Sequence, residues 1–232
     1  MKKLEFTFDD AEHIYTLKNG VEVPGCTRVI DTGGWDTYAN VREDILERKS
    51  AIGKEVHRAT VMFDHGSLDW SSLDPRVEGY VRAWRFFRNR TGFTPLVSEF
   101  RSVCEVYKRR FGLTIDCFGK TGLRTTKRGI ETIVEKKCTV AKARRHDLQT
   151  AGYAIGFPKG YASALARFLS RRRLIVYLKP TGIPDIHEAD RREDYEIFMA
   201  LLTTTEFKLR EMKIERETTC GIAKRLLSGP QI

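Results

Sequence analysis

Charged side chains interrupt an otherwise apolar strand pattern at residues 130–140, IETIVEKKCTV. Side chains two positions apart in a β-strand project from the same face, so Glu135 and Lys137 lie together. Charges inside a sheet are costly unless they are paired or bind a ligand. One interpretation is an exposed ion pair worth at most about 1 kcal/mol. The other is a chemical site on this strand.

A second carboxylate favours the chemical site. Asp116 ends the strand pattern GLTID, and residues 120–129 form a turn-rich connection to the strand of Glu135. If the two strands are antiparallel neighbours, their carboxylates come close, and they repel each other unless a cation lies between them. Asp and Glu oxygens suit Mg²⁺ or Mn²⁺, which also accept substrate phosphates. Lys137 could then orient an attacking water or stabilise phosphate charge in the transition state.

The elements that must position these residues follow from hydrophobic periodicity and turn signals. They are strands at 4–8 and 13–17, a hairpin turn at Asn19-Gly20, one or two helices within 38–63, an amphipathic helix from Asp74-Pro75, strands at 96–107, 111–119 and 130–140, a helix at 143–157, a strand at 171–180, and helices at about 190–212 and 217–227.

This order, without repeats or a linker, predicts a single α/β (α+β) domain. An N-terminal β-hairpin and helical segment covers about 1–92, a core about 93–180, and C-terminal helices about 190–232. No run of about 18 apolar residues occurs, so no membrane span is expected. The N-terminal residues lack the apolar core of a signal peptide, which predicts an intracellular, cytoplasmic protein.

The net charge of +10 is unevenly distributed. Residues 1–75 carry 9 basic and 14 acidic side chains, a net charge of −5, and residues 76–232 carry 32 and 17, a net charge of +15. Basic clusters of this kind suit a polyanion, and nucleic acid is the common one. The alternative is a solvated basic surface.

The five cysteines lack the spacing of a zinc or iron–sulfur site, and their odd number argues against a disulfide framework. They are Cys26, Cys104, Cys117, Cys138 and Cys220. We therefore expect reduced structural thiols, which pack as small hydrophobic side chains.

Five short motifs, in order, resemble the PD-(D/E)XK nuclease superfamily, and its RecB-type exonuclease branch most of all. They are IGKEVH (52–57), SEF (98–100), GLTID (112–116), VEKK (134–137) and QTAGY (149–153). The stretch YTLKNGVEVPGCTRVI is similar to the opening of phage-type members and mitochondrial genome maintenance exonucleases. The resemblance covers roughly residues 15–180.

This resemblance implies a restriction-endonuclease-like core, with a central mixed β-sheet flanked by helices. It implies Mg²⁺ or Mn²⁺ bound by His57, Asp116 and Glu135, with Lys137 as catalytic lysine beside Asp116 and Glu135. For substrate binding it points to Gln149 and Tyr153, four apart on one helix face, and to Glu99, with which Glu105 competes. Arg145 and His146, at the start of the same helix, are candidates for phosphate contact. The alternatives are an ordinary helix surface with a core tyrosine for Gln149 and Tyr153, and a structural histidine for His57.

The chain departs from the family pattern at several positions. Ile115 precedes Asp116 where many members have proline, and Glu135 stands where this branch more often has aspartate. Gly25-Cys26 replaces the Pro-Ser of the N-terminal phrase. Members with an iron–sulfur cluster use three C-terminal cysteines, and only Cys220 is near this end, so no cluster is expected.

The expected function is a metal-dependent DNA nuclease. The branch favours an exonuclease acting on DNA ends, with a preference for single strands left open. A viral, recombination or repair setting fits the same resemblance. A structure-specific endonuclease or nickase, a non-catalytic nucleic-acid-binding protein with this fold, and a scaffold with a chance motif set are the alternatives. Oligomeric state and a recombination partner are left open. In RAWRFFRNR (82–90), Trp84 and Phe87 suit the core, whereas Arg82, Arg85 and Arg88 could line a groove.

Overall fold

The computed structural model describes residues 4–10, 14–35, 41–122, 129–139, 142–157 and 171–227, with side chains through residue 215. The described helices are α1 (Cys26–Thr32), α2 (Glu43–Asp64), α3 (Pro75–Thr91), α4 (Arg144–Gly156) and α5 (Glu193–Leu227), with a short 3₁₀ turn at Trp70–Ser72. The described strands are β1 (Phe6–Asp9), β2 (Ile14–Leu17), β3 (Glu22–Val23), β4 (Thr94–Val106), β5 (Arg109–Thr121), β6 (Ile130–Lys137), β7 (Arg172–Tyr177) and β8 (Asp185–Glu188).

Strands β4 to β8 form one mixed sheet in the order β4-β5-β6-β7-β8. Strands β6 and β7 pair in parallel, and the other neighbours pair antiparallel. Helices α2 and α3 cover one face, and α1, α4 and α5 cover the other. The α+β class and the mixed sheet flanked by helices are confirmed.

Helix α3 shows how local sequence sets an element that supports the site. Asp74 caps its N-terminus by accepting a hydrogen bond from the backbone N–H of Arg76 at 2.8 Å. Pro75 follows at the first helical position, where its missing N–H is not needed. Gly92 ends the helix with a left-handed φ of 64°, which glycine adopts without strain. The apolar side of the helix buries Trp84 and Phe87 against the sheet.

On the other face, α4 approaches α1 and α5 closely because of Gly152. A Cβ at this position would lie 2.4 Å from the sulfur of Cys26 and 2.6 Å from the ring of Phe198. A buried ion pair between Arg173 of β7 and Asp194 of α5, 2.8 Å apart, joins the last helix to the sheet. Asp194 also pairs with Arg144 of α4. Helix α4, which carries Gln149 and Tyr153, is therefore held by α1, by α5 and by the sheet.

The N-terminal sheet, in the order β1-β2-β3, packs against β5. Gly112 allows this contact, since a Cβ there would lie 2.3 Å from the ring of Tyr15. The backbone N–H of Gly112 donates to Pro24 O at 2.9 Å, and the Tyr15 hydroxyl lies 2.6 Å from Thr114 Oγ1. The turn at Asn19-Gly20 joins β2 to β3, as the sequence predicts.

Two elements differ from the sequence prediction. Strand β8 was not predicted, because its four residues, DIHE, show no apolar pattern. The two predicted C-terminal helices form one helix that begins at Glu193, after the predicted start at Asp190. Of the predicted helical region 38–63, residues 38–40 lie outside the described residues. Within the described residues, no helix is both long and apolar enough to cross a lipid bilayer.

Candidate metal centre

The register of β5 and β6 brings the two strand carboxylates together. Cys117 lies opposite Val134, and the pairing is antiparallel, so the next positions along the two strands are Asp116 and Glu135. The backbone N–H of Lys136 donates to Asp116 Oδ2 at 2.6 Å. Both carboxylates are buried: Asp116 is 6% exposed and Glu135 is 2% exposed.

His57 of α2 and Glu99 of β4 converge on Asp116 from neighbouring elements. His57 Nδ1 lies 3.4 Å from Asp116 Oδ1 and 3.5 Å from Glu99 Oε1. One ligand-type atom from each of the three residues lies within 4.8 Å of the other two. Glu105, which competes with Glu99 in the sequence, instead pairs with Arg110 at 2.6 Å.

The strand alternation breaks where these carboxylates lie. Ile115 packs under α4 and α5, whereas Cys117, two positions on, packs under α2 and α3. Residues two apart in a regular strand share a face. On the neighbouring strand, Glu99 has a left-handed φ of 51° in mid-strand. For a residue with a side chain this conformation costs about 1–2 kcal/mol and persists only where the surroundings enforce it.

Glu135 and Lys137 form an ion pair on the adjacent strand. Lys137 Nζ lies 2.5 Å from Glu135 Oε1, and the lysine side chain is 22% exposed. The second oxygen, Glu135 Oε2, is buried without a hydrogen-bond partner, and so is Glu99 Oε1. The compact ligand set is therefore His57, Glu99 and Asp116, and Glu135 adjoins it through Asp116. The resemblance assigned Glu99 to substrate binding and Glu135 to the metal.

The charged groups of this cluster shift one another's pKa values. Burial alone would lower the pKa of His57, but the carboxylates of Asp116 and Glu99 outweigh it and raise that pKa. Burial opposes ionisation of Asp116 as well, yet His57, Lys136 and Lys137 hold its pKa below the ordinary value. Burial, and then the charge of Asp116, raise the pKa of Glu135. Of the two carboxylates, Asp116 is therefore the one that ionises at lower pH.

The donor set fits a divalent cation. Glu135 Oε2 is a buried carboxylate oxygen without a hydrogen-bond partner, which is uncommon in folded proteins, and a bound cation would satisfy it. Carboxylate oxygens are the ligands that Mg²⁺ and Mn²⁺ prefer. The imidazole nitrogen of His57 is a softer donor, which favours Mn²⁺.

Gln149 and Tyr153 stand beside this cluster on α4. Gln149 Nε2 donates to the Tyr153 hydroxyl at 2.6 Å. Tyr153 is 3% exposed, and burial followed by the negative charge of Glu135 raises the pKa of its phenol well above the ordinary value. The buried tyrosine therefore positions the glutamine amide, and Gln149 is the more accessible of the two.

Arg145 is not brought into the cleft. Its guanidinium is buried and pairs with Asp31 Oδ1 of α1 at 2.8 Å. Asp31 itself lines the cleft, whereas Arg145 does not. The reason is its place in the first turn of α4, where it faces α1.

Lys136 is a residue that sequence reasoning set aside. Its side chain does face away from Glu135, as predicted, but it is only 1% exposed. Its ammonium donates to Thr60 Oγ1 at 2.9 Å, and that hydroxyl donates to His57 O at 2.8 Å. Lys136 therefore links β6 to the turn of α2 that carries His57. Burial of Lys136 could have been predicted from the strand alternation, because its face of β6 packs under α2 and α3.

The His57, Glu99 and Asp116 cluster lines a cleft of about 1190 Å³, together with Glu135, Lys137, Gln149 and Tyr153. That volume exceeds the roughly 300–1,000 Å³ of common small-molecule pockets. Its rim carries four cationic side chains, Arg28, Lys54, Arg58 and Arg101. Arg58 pairs with Glu55 and Arg101 with Asp10. Arg28 and Lys54 are exposed and have no ion-pair partner among the described residues.

His146, the neighbour of Arg145, is buried behind the site rather than at its mouth. It is 2% exposed, and its Nδ1 lies 3.0 Å from the Tyr177 hydroxyl. Burial, and then the charges of Lys137, Arg145 and His187, lower its pKa to about 3. The imidazole is therefore neutral in the folded protein.

A pH-dependent loss of stability follows from His146. Because its folded pKa of about 3 lies below the unfolded value of about 6.5, its contribution is present above pH 6.5 and is lost as the pH falls towards 3. Between pH 7 and pH 5 this loss is about 2 kcal/mol. We expect His146→Asn to flatten the fall in free energy of unfolding, measured by urea titration, by that amount. His65→Asn, an exposed histidine, is the control, and equal pH slopes for both variants would contradict the assignment.

Comparison with known proteins adds little. No family model and no curated protein matches the sequence. One solved structure, described as the crystal structure of SSO0001, is similar over 55% of this chain with 12% identity and a TM-score of 0.34. The matched part is 56% of that chain, so the overlap is little more than half of either protein. A likeness this weak bears on neither fold nor function.

Proposed function

We propose that this protein is a metal-dependent deoxyribonuclease that hydrolyses phosphodiester bonds, acting as an exonuclease on DNA ends. The observation that carries the proposal is the convergence of His57, Glu99 and Asp116 within 4.8 Å. The lysine–glutamate pair of β6 adjoins this set in the same cleft. The preference for DNA ends rests on the motif resemblance alone.

His57, Glu99 and Asp116 would hold the ion, and Glu135 would adjoin it. A bound Mg²⁺ or Mn²⁺ would lower the pKa of a water molecule and neutralise phosphate charge. Lys137 is the cation best placed to donate to a phosphate oxygen or to orient the nucleophile. Its ammonium is held by Glu135 and remains partly exposed to the cleft.

The surroundings of the cluster fit a polyanionic substrate. The exposed Arg28 and Lys54 give the rim positive charge that can meet phosphates. The amide of Gln149, oriented by Tyr153, can donate to a base or phosphate within the cleft. A cleft of about 1190 Å³ has room for a polymer strand.

Cleavage of defined DNA substrates tests this proposal. Linear and circular DNA, single- and double-stranded, are incubated with Mg²⁺, Mn²⁺ or EDTA. We expect linear DNA to be degraded with either metal and to survive in EDTA, because the carboxylate cluster needs the cation. Circular DNA should resist.

The other outcomes separate the alternatives. Cleaved circles would identify an endonuclease or nickase. DNA that stays intact but migrates as a protein complex would identify a non-catalytic binding protein. Intact, unbound DNA, together with a thermal unfolding midpoint that Mn²⁺ does not raise, would contradict both the nuclease and the metal centre.

A further inference from the structure

The solvent-facing side of α3 has an unusual composition. The helix buries positions 77, 80, 81, 84 and 87 against the sheet. From residue 82 onward, its exposed positions recur at helical spacing on the opposite side. They are Arg82, Arg85, Phe86, Asn89 and Arg90, which together we call the outer face of α3. Three of these five positions are arginines, and the one acidic side chain beside them on the helix is Glu78, one turn before Arg82.

This face borders a groove of about 530 Å³. The second wall is the turn that follows β7, at Thr181 and Gly182. The turn can approach the helix because of Gly79, where a Cβ would lie 1.9 Å from Pro180 O. The groove and the catalytic cleft share no lining residue.

Much of the positive charge here is not neutralised by the protein. Arg82 pairs with Glu78 one turn earlier. Arg85 and Arg90 have no carboxylate partner among the described residues, and the Arg85 guanidinium lies over the Trp70 ring at 5.4 Å. By contrast, Arg88 on the same helix is paired with Asp64 at 2.7 Å and faces inward. The sequence grouping of Arg82, Arg85 and Arg88 is thus replaced by Arg82, Arg85 and Arg90.

An aromatic ring lies among these cations. Phe86 is 39% exposed, although a phenylalanine in mid-helix gains stability by burial. Cationic side chains that follow a backbone, interleaved with exposed rings on which bases stack, are typical of surfaces that bind single-stranded nucleic acid.

We propose that the outer face of α3 is a second DNA-binding surface, which holds a single-stranded segment outside the catalytic cleft. Arg85 and Arg90 contact phosphates, and Phe86 stacks on a base. The choice of DNA as the polyanion rests on the proposed function. The binding itself does not need the metal centre, so it can be measured without cleavage.

The test is binding of a fluorescein-labelled 30-nucleotide oligothymidylate in EDTA, followed by anisotropy over a range of salt concentrations. Each lost phosphate contact should reduce the slope of log K against log salt by about 0.7. Arg85→Gln/Arg90→Gln should therefore reduce it by about 1.4, with a weaker affinity. Phe86→Ala should weaken binding about 5-fold or more at an unchanged slope.

The matched control is Arg76→Gln/Arg210→Gln, which removes the same charge from exposed positions that lie outside both concavities. Its slope should change less than that of Arg85→Gln/Arg90→Gln. Equal slopes for the two double variants, no effect of Phe86→Ala, or tighter binding of polyglutamate than of oligothymidylate would each overturn the proposal. A loss of binding specific to Arg85→Gln/Arg90→Gln, in a protein that cleaves no DNA with Mn²⁺, would support this surface and contradict the nuclease.

Discussion

Replacing Lys137 with methionine should reduce the rate of DNA cleavage by about 10²–10⁴-fold, while DNA binding changes little. The Lys137 ammonium lies in the cleft beside the carboxylate cluster, 2.5 Å from Glu135 Oε1 on the same strand. A preorganised charge at a reacting phosphate, or a group that helps to transfer a proton, contributes about this much to a rate. Methionine keeps the length and apolar stem of lysine without its charge. Single-turnover cleavage of end-labelled DNA with Mn²⁺ measures the effect.

Two comparisons make this result specific. Lys120→Met makes the same change on the neighbouring strand, outside the cleft, and should leave the rate unchanged. Lys137→Arg restores the charge with a different shape and should recover part of the rate. Full cleavage by Lys137→Met would remove the lysine from the chemistry, and equal losses in both methionine variants would point to a general loss of positive charge.

The architecture around the site was largely predictable from local sequence. Alternating apolar residues identified β5 and β6, and the turn-rich connection between them indicated antiparallel pairing. The pairing of Cys117 with Val134 supplies the register that the sequence left open. A shift of one residue would have turned Asp116 or Glu135 to the opposite face. The capping of α3 by Asp74 and Pro75 was equally local and therefore readable.

The ligand set was less predictable, because it depends on backbone conformations that periodicity does not encode. The left-handed φ of Glu99 and the break in alternation at Asp116 arise in mid-strand, without a glycine to mark them. Sequence alternation alone could not decide between Glu99 and Glu105. The ion pair of Glu135 with Lys137 follows from attraction between neighbours on one strand face, yet its effect on the ligand set appears only in three dimensions.

The misplacement of Arg145 has a similar cause. Its position in the first turn of α4 suggested the mouth of the cleft, but the direction of that turn is set by the packing of α4 on α1. Close approach at Gly152 brings the two helices together and leaves Arg145 opposite Asp31. Contacts between elements distant in sequence, rather than the helix itself, therefore decide which of its residues reach the substrate.

Replacing Asp116 with asparagine should lower the affinity for Mn²⁺ by at least about 100-fold and reduce cleavage accordingly. Even residues that only support metal ligands are worth about 10–100-fold in affinity, and Asp116 lies beside both His57 and the Glu135 carboxylate. Isothermal titration with Mn²⁺ measures the affinity directly. Glu105→Gln, the same carboxylate-to-amide change on the neighbouring strand β4, should leave it unchanged.

The stability of the same variant distinguishes a metal ligand from a structural carboxylate. The asparagine amide oxygen can still accept the Lys136 N–H that now bonds Asp116 at 2.6 Å. Removing the charge also relieves repulsion of Glu135, while His57 loses an anionic neighbour. Because the pKa of Asp116 is lowered, its charge stabilises the folded protein, so we expect the free energy of unfolding in EDTA to fall, by less than about 1 kcal/mol, since relief of Glu135 offsets part of the loss. A large destabilisation in EDTA, with Mn²⁺ affinity intact, would make Asp116 a structural residue and leave the cluster without its central ligand.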